Sequence, residues 1–348
     1  MQRREFLKAA AVAGVAAAAT ANLRAEAQAV SRGPIGAMGS TGSDALAWST
    51  DLEYRPLGRT GETVSVIGLG GYHIGVQSDP AESVRLIRTA IDRGINFMDN
   101  SWDYNDGASE QRMGDALKDG YRKKVLLMTK IDGRSKASFN SQLEQSLTRL
   151  QTDVIDLMQF HEIIRFEDPD RIFASGGALE GALEAKKAGK IRYIGFTGHK
   201  DPLIHLRTFD VAKQHGFHFD TVQMPINVMD AHFRSFARQV IPVAEAEGTA
   251  VLAMKIFGGR SILQSKTATA MECLQYALAQ KVAVVITGMD SIPILEQAFA
   301  AVKAGPLSET QMAAVLAKTH DAAMTGVYEP FKTTSRVDGS ARRPDWLG

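Results

Sequence analysis

The chain has 348 residues, of which 45% are hydrophobic and 23% charged, with a formal net charge of +1 and one cysteine. Near-balanced charge without basic runs gives no electrostatic case for nucleic acid. The lone Cys273 excludes an intramolecular disulfide and sits in an apolar helical stretch, as a small core residue does.

Arg3-Arg4-Glu5-Phe6-Leu7-Lys8 precedes an uncharged, Ala-rich stretch from Ala9 to Ala21, and Ala25-Glu26-Ala27 offers a small-x-small cleavage site. This order predicts a twin-arginine export signal over residues 1–27, with the twin-arginine translocation machinery as a partner and the periplasm as destination. The competing reading is the basic start of an ordinary helix. A membrane anchor fits less well, because the apolar stretch is shorter than the roughly 20 residues a spanning helix needs. Removing residues 1–27 takes away four basic and two acidic residues, so the net charge goes from +1 to −1. Residues 28–50, rich in Ser, Gly and Ala, read as a flexible tether, and 51–348 as one domain with a C-terminal extension.

Within that domain, strands are predicted near 63–67, 95–98, 125–129, 154–160, 191–196, 220–224, 250–254 and 282–286. Helices are predicted near 80–93, 109–119, 139–150, 178–188, 202–215, 234–247, 267–280 and 292–303. Asp79-Pro80 before Glu82 is a helix start, and Gly94, Gly189, Gly216 and Gly248 stand where helices stop. Alternation of strands and helices at about thirty-residue spacing is the βαβ pattern, and eight repeats close most economically as a (β/α)8 TIM barrel, an α/β fold of about 250 residues. A doubly wound open sheet is the runner-up. Gly68-Leu69-Gly70-Gly71 lies where its fingerprint belongs, but the third spacing glycine is missing.

Asp99, Lys130 and His161 close the second, third and fourth strands, and Tyr104 lies five residues beyond Asp99 in a loop. Parallel strands present their C-terminal ends on one face, so the four side chains can converge. Taken singly each has a bland explanation: a turn cap for Asp99, a loop aromatic for Tyr104, a solvated strand end for Lys130, a core histidine for His161. Together they are the parts for moving a proton while a hydride moves elsewhere. An ammonium beside a phenol would lower its pKa toward a working value, and Asp99 would keep Lys130 charged and aimed.

The stretches EYRPLGRTGETVSVIGLGG (53–71), GINFMDNSWDYNDGASEQRMGDAL (94–117), VLLMTKI (125–131), VIDLMQFH (154–161) and GKIRYIGFTGH (189–199) resemble the aldo-keto reductase family, and the resemblance runs from Leu52 to about Ala304. It implies a catalytic tetrad with Tyr104 as general acid, Lys130 and Asp99 as its polarising pair, and His161 orienting a carbonyl. It also implies NADP(H) or NAD(H) as cofactor and a small-molecule carbonyl or alcohol as substrate. Cofactor positions follow by the same resemblance. Gly70 and Gly288 lie just beyond the predicted first and eighth strands, and Thr197-Gly198 stand where the family has Ser-Asn, with His199 next. Gln223 matches the carboxamide-binding Gln, and Met254 replaces the usual stacking aromatic. Lys255 and Gly258 would meet the pyrophosphate, and Asp290 stands where a basic residue is common. No Arg or Lys lies between Lys281 and Lys303, so the preference for NADP over NAD is expected to be weak or reversed.

Two other readings stay open. One is an accessory or redox-sensing barrel with little turnover. The other is a metal-dependent hydrolase, against which no paired His or carboxylate cluster occurs at ligand spacing. His73, Trp102, Phe257 and residues 328–348 are candidate pocket liners, the last either a lid or a passive tail.

Overall fold

The computed structural model describes residues 52–348; the predicted export signal and tether fall outside the described residues. Eight parallel strands form a closed barrel: β3 (Ile67–Gly70), β4 (Phe97–Met98), β5 (Leu126–Ile131), β6 (Ile155–Phe160), β7 (Ile191–Thr197), β8 (Thr221–Pro225), β9 (Ala250–Met254) and β10 (Val284–Gly288), with β10 pairing back onto β3. The fold is a TIM barrel. A two-stranded antiparallel hairpin, β1 (Tyr54–Pro56) and β2 (Thr63–Ser65), precedes it.

That hairpin corrects the first predicted strand. Residues 63–67 are not one element: the chain pairs with β1 up to Ser65 and enters the barrel only at Ile67, where it aligns with Val285. The Asn96 side chain accepts from Ser65 N at 2.6 Å, and Ser65 Oγ donates to Ile67 O at 2.7 Å, so the break is hydrogen-bonded. Arg55 donates to the carbonyls of Val282 and Leu278, which ties the hairpin to the start of β10.

The barrel interior follows from period-two alternation. Phe97, Leu126, Met128, Leu157, Leu252, Val284 and Ile286 pack together as one cluster distinct from the core between strands and helices. Continued along each strand, the same inward parity reaches Asp99, Lys130, Gln159 and His161, Met254 and Gly288, and Thr197 and Gln223 share it by their register with Leu252. The sequence alternation therefore lines the mouth with polar groups and the interior below with apolar ones.

Helices follow the predicted order, and shorter ones such as Asp168–Phe173 and Ser261–Gln264 are added between them. The predicted helix at 234–247 is divided into Phe236–Gln239 and Ile241–Glu247, with Pro242 at the first turn of the second. Beyond the barrel, Glu309–Ala323 is a helix the sequence reading does not contain, although Ser308 and Gln311 form a capping box at its start.

Candidate active site

Asp99, Lys130 and His161 are brought together as their parity requires, and Tyr104 joins them from a short 3-10 turn, Tyr104–Gly107. Lys130 Nζ donates to Asp99 Oδ1 at 2.5 Å, to the carbonyl of Asn100 at 2.6 Å and to Tyr104 Oη at 3.3 Å. Lys130 is 1% exposed and Asp99 3%, so this is a buried ion pair whose charges are satisfied by hydrogen bonds. The Trp102 amide donates to Lys130 O and holds the Tyr104 loop on the strand end. His161 stands edge-on to Tyr104, ring centroids 5.9 Å apart.

The phenol differs from the expectation. Burial raises the Tyr104 pKa well above its ordinary value, and the carboxylates of Asp99, Asp103, Glu162 and Asp132 add to the rise, so proximity to Lys130 does not lower it on balance. At neutral pH Tyr104 is a protonated donor. Burial sets the sign, and the four carboxylates reinforce it.

Three of those carboxylates belong to residues the sequence reading does not single out. His161 Nδ1 lies 3.1 Å from Asp132 Oδ1, 3.3 Å from Ser101 Oγ and 3.4 Å from Asp103 Oδ1. Asp103, Asp132 and His161 thus each bring one nitrogen or oxygen atom within 4.8 Å of one another. The sequence reading finds no such cluster because its members come from three successive strand ends. A further omission is Arg134, fully buried, which donates to Asp168 Oδ1 (3.2 Å) and to the carbonyls of Asp132, His161 and Glu162. It fastens the end of β5 to that of β6. The signal available for these residues was the polar run Asp132-Gly133-Arg134 immediately after β5.

The cofactor positions are distributed around the same mouth. Gln223 is buried and its Oε1 has no partner, an orphaned acceptor that a carboxamide amine would satisfy. Across from it Thr197 Oγ1 faces Met254 Sδ at 3.9 Å, and the Gly198 amide donates to Gln223 O at 3.4 Å. A nicotinamide carboxamide fits these donors and acceptors. After β9 the backbone turns left-handed at Lys255, Gly258, Gly259 and Arg260, a rare run that brings main chain to the mouth. Lys255 is held below its ordinary pKa by burial and by Lys130, against the raising pull of Glu162.

At the other end of this arc, Gly70 lies against the carbonyl of Thr287, where a Cβ would stand 2.9 Å from that oxygen, and the ring of His73 covers Gly288. Asp290 is not bare: Arg260, from the loop after β9, reaches it at 3.1 Å. A cation absent from the segment itself is thus supplied from elsewhere. His199 has Glu162 at 3.7 Å and Asp338 at 3.9 Å as ring partners and packs on Phe331. Burial lowers its pKa.

Residues 328–348 lie over the mouth. Glu162, at a positive φ of 44°, accepts from the amides of Gly339 (2.9 Å) and Ser340 (2.8 Å). Although burial opposes it, hydrogen bonding and charge from His199, the charge of His161 and the Ser340 amide hold its carboxyl far below the usual range. Arg134 N donates to Leu347 O, Gln142 Nε2 to Trp346 O, and Trp346 meets Trp102 edge-on.

Comparison with known proteins agrees with this architecture. Aldo-keto reductase YhdN of Bacillus subtilis is 34% identical over 210 residues, 56% of this chain and 59% of its own length. L-galactose dehydrogenase of Arabidopsis thaliana is 34% identical over 161 residues, 43% of this chain and 49% of its own. The chain thus aligns with about half to six-tenths of the length of these relatives. The holo form of aldo-keto reductase AKR11C1 from Bacillus halodurans superposes with a TM-score of 0.64 at 24% identity, covering 77% of this chain and 96% of that one, which bears on the fold. The model of the aldo/keto reductase family matches residues 66–272, a span that contains Asp99, Tyr104, Lys130 and His161, and this chain belongs to that family.

Proposed function

We propose that the protein is an oxidoreductase that reduces a small-molecule carbonyl, or oxidises the corresponding alcohol, with Tyr104 as the acid. The observation that carries this is the Lys130 ammonium donating at once to Asp99, Asn100 and Tyr104 beside His161. A reduced nicotinamide nucleotide, when bound, supplies the hydride. Gln223 and Thr197 would hold its carboxamide, Lys255 and Gly258 its phosphates, with His199, Met254, Gly70 and Gly288 shaping the surroundings and Asp290 near the adenosine end. As negative charge develops on the carbonyl oxygen, the Tyr104 hydroxyl donates into it, and a donor already in place stabilises that charge most where it develops.

Tyr104→Phe removes the proton while leaving the nucleotide contacts intact. A loss of a hundredfold or more in turnover is expected, with Lys130→Met comparable. Near wild-type carbonyl reduction by Tyr104→Phe would sink the assignment of Tyr104 as the acid, whereas the accessory-barrel reading predicts little reduction by the wild-type chain itself.

The order of residues over 1–27 supports export by the twin-arginine route to the periplasm. Outside the cytoplasm free nicotinamide nucleotide has no assured supply, so the folded protein would carry its cofactor across and restore its redox state within each cycle. That requires binding tighter than micromolar, beyond about 8.2 kcal/mol. Protein purified from the periplasmic fraction should hold nucleotide; an empty site with dissociation constants of tens of micromolar would end the closed-cycle idea and leave the reductase reading in place.

A further inference from the structure

The surroundings of His161 are more constrained than orienting a carbonyl requires. All three groups facing Nδ1 are acceptors. Asp132 Oδ1 and Asp103 Oδ1 are carboxylate oxygens at 3.1 Å and 3.4 Å. The third, Ser101 Oγ at 3.3 Å, spends its own hydrogen on Asp103 Oδ1 at 2.6 Å, and so turns a lone pair toward the ring. A bare nitrogen lone pair among three acceptors would be repelled by each of them, so the proton belongs on Nδ1.

The second constraint is Asp132 itself. Its side chain is fully buried, and its Oδ2 has no partner. Arg134 does not neutralise it directly, because the guanidinium donates to the backbone carbonyl of Asp132 and pairs with Asp168. The single hydrogen-bond partner of the Asp132 carboxylate among the described residues is His161. A buried carboxylate without a cationic partner is costly by several kcal/mol, so the pair is stable with the ring charged. The third observation concerns the far side of the ring. Nε2 makes no hydrogen bond among the described residues, and the ring edge stands by Tyr104 at the mouth.

We infer that Asp132, assisted by Asp103, is a positioning residue that keeps His161 an imidazolium with its proton fixed on Nδ1, so that Nε2–H is a second, cationic hydrogen-bond donor to the substrate oxygen. This rests on the carbonyl-reductase reading for its substrate and on the geometry alone for the charge. Two donors then converge on one oxygen, the Tyr104 hydroxyl that transfers its proton and the His161 Nε2–H that holds its own. Loss of the His161 proton turns Nε2 into an acceptor, which repels a carbonyl oxygen but accepts from an alcohol. The same ring thus favours reduction when charged and alcohol binding when neutral.

The groups that face His161 are Asp103 and Tyr104 from the loop after β4, Asp132 and, through Tyr104, Lys130 from β5, and Glu162 beside it after β6, itself tied to His199 and to the tail amides of Gly339 and Ser340. Burial opposes charge on the ring, and Asp132, Asp103 and Glu162 outweigh it, so the His161 pKa is raised. Burial and the neighbouring Asp132 push Asp103 up to about 6, against His161, so Asp103 joins the pair as a carboxylate only above mildly acid pH.

Two measurements on the full chain test this. Ring nitrogen chemical shifts of labelled histidine, with His161 assigned by His161→Gln, should show a doubly protonated ring at pH 7; a neutral ring there, or a proton on Nε2 alone, overturns the inference. The pH profile of kcat/KM for carbonyl reduction should fall along an alkaline limb, and Asp132→Asn should move that limb down by one unit or more. The loss would then be tenfold or greater at the alkaline end and small at pH 5.5. Asp132→Glu, which keeps the charge, should leave the limb near its original place. An equal loss at every pH with an unmoved limb would make Asp132 merely structural and overturn the proposal. Should Asp132→Asn fail to fold, Asp103→Asn carries the same test with a smaller shift. The ring titration reads the inference without turnover, whereas absence of any carbonyl reduction bears on the reading it rests on.

Discussion

Arg260 and Asp290 show how a single pair alters a reading made from one segment. Asp290 alone would repel a 2′-phosphate, but Arg260 reaches it at 3.1 Å with a side chain 75% exposed. Exposed pairs of this kind contribute about 0–1 kcal/mol, so the guanidinium can exchange its partner for a phosphate at little cost. Asp290→Asn is expected to raise the affinity for NADP relative to NAD about tenfold, and Arg260→Ala to lower it by a similar factor, the scale of one charge-assisted hydrogen bond of about 1.5–3 kcal/mol. Fluorescence titration of both nucleotides checks this, and unchanged ratios in both variants would place the discrimination elsewhere. At this same scale the tetrad was legible, because Asp99, Lys130 and His161 stand at strand ends where period and position coincide. Asp132 and Asp103 were not legible as partners of His161, since their meaning is a 3 Å distance between strands.

The short helix Pro330–Thr333 meets His199 through Phe331, and the hold of this helix and the turn before it on the barrel depends on pH. Glu329 is fully buried, accepting from Asn227 Nδ2 (3.1 Å) and Lys332 Nζ (3.0 Å). Lys332 also donates to Asp230 Oδ1 and to Phe233 O, both at 2.7 Å. Burial pushes the Glu329 carboxyl up to about 7, with Asp230 adding to the rise and Lys332 opposing it. Between the ordinary carboxyl value of 4.5 and about 7, the folded chain therefore holds more protons than the unfolded one. Stability then falls as pH rises through that window, by at most about 3 kcal/mol for a shift of this size. Glu329→Gln should remove that dependence, read as the change in urea midpoint between pH 5 and pH 7.5 against wild type; an identical slope in the variant would show that Glu329 does not titrate there. The two charged residues of this element, Glu329 and Lys332, were hidden in sequence because nothing in YEPFKT distinguishes a surface turn from a buried one.

At the scale of the whole molecule, the last residues complete a site that the barrel begins. Gly339, Ser340, Trp346 and Leu347 are bonded to Glu162, Gln142 and Arg134, of which Glu162 follows His161 in the chain and Arg134 holds its backbone carbonyl. Deleting residues 335–348 leaves the strands and their interior cluster in place, so nucleotide affinity is expected to stay within about threefold. KM for a carbonyl substrate should rise about tenfold or more, since each unmade bond to a buried group costs about 1–3 kcal/mol. Steady-state kinetics with nucleotide titration of the same sample separate the two. A truncated chain with unchanged KM would make the segment a passive tail.

Period-two alternation, strand spacing and the polar residue at each strand end are local properties, and from them the chain predicts a closed barrel with Asp99, Lys130 and His161 at one mouth, while Thr197 and Gln223 enter only through the family resemblance. Those features survive because each depends on neighbours within a few residues. What only the tertiary structure decided is the sign and size of the fields at that mouth. Tyr104 is raised rather than lowered because burial disfavours the phenolate and carboxylates from three strand ends add to that rise. His161 meets Asp132 across β5 and β6, Asp290 meets Arg260 across β9 and β10, and the C-terminal segment meets Glu162 after almost two hundred residues of chain. Electrostatic energy falls off with distance in space, and closure of the barrel sets those distances.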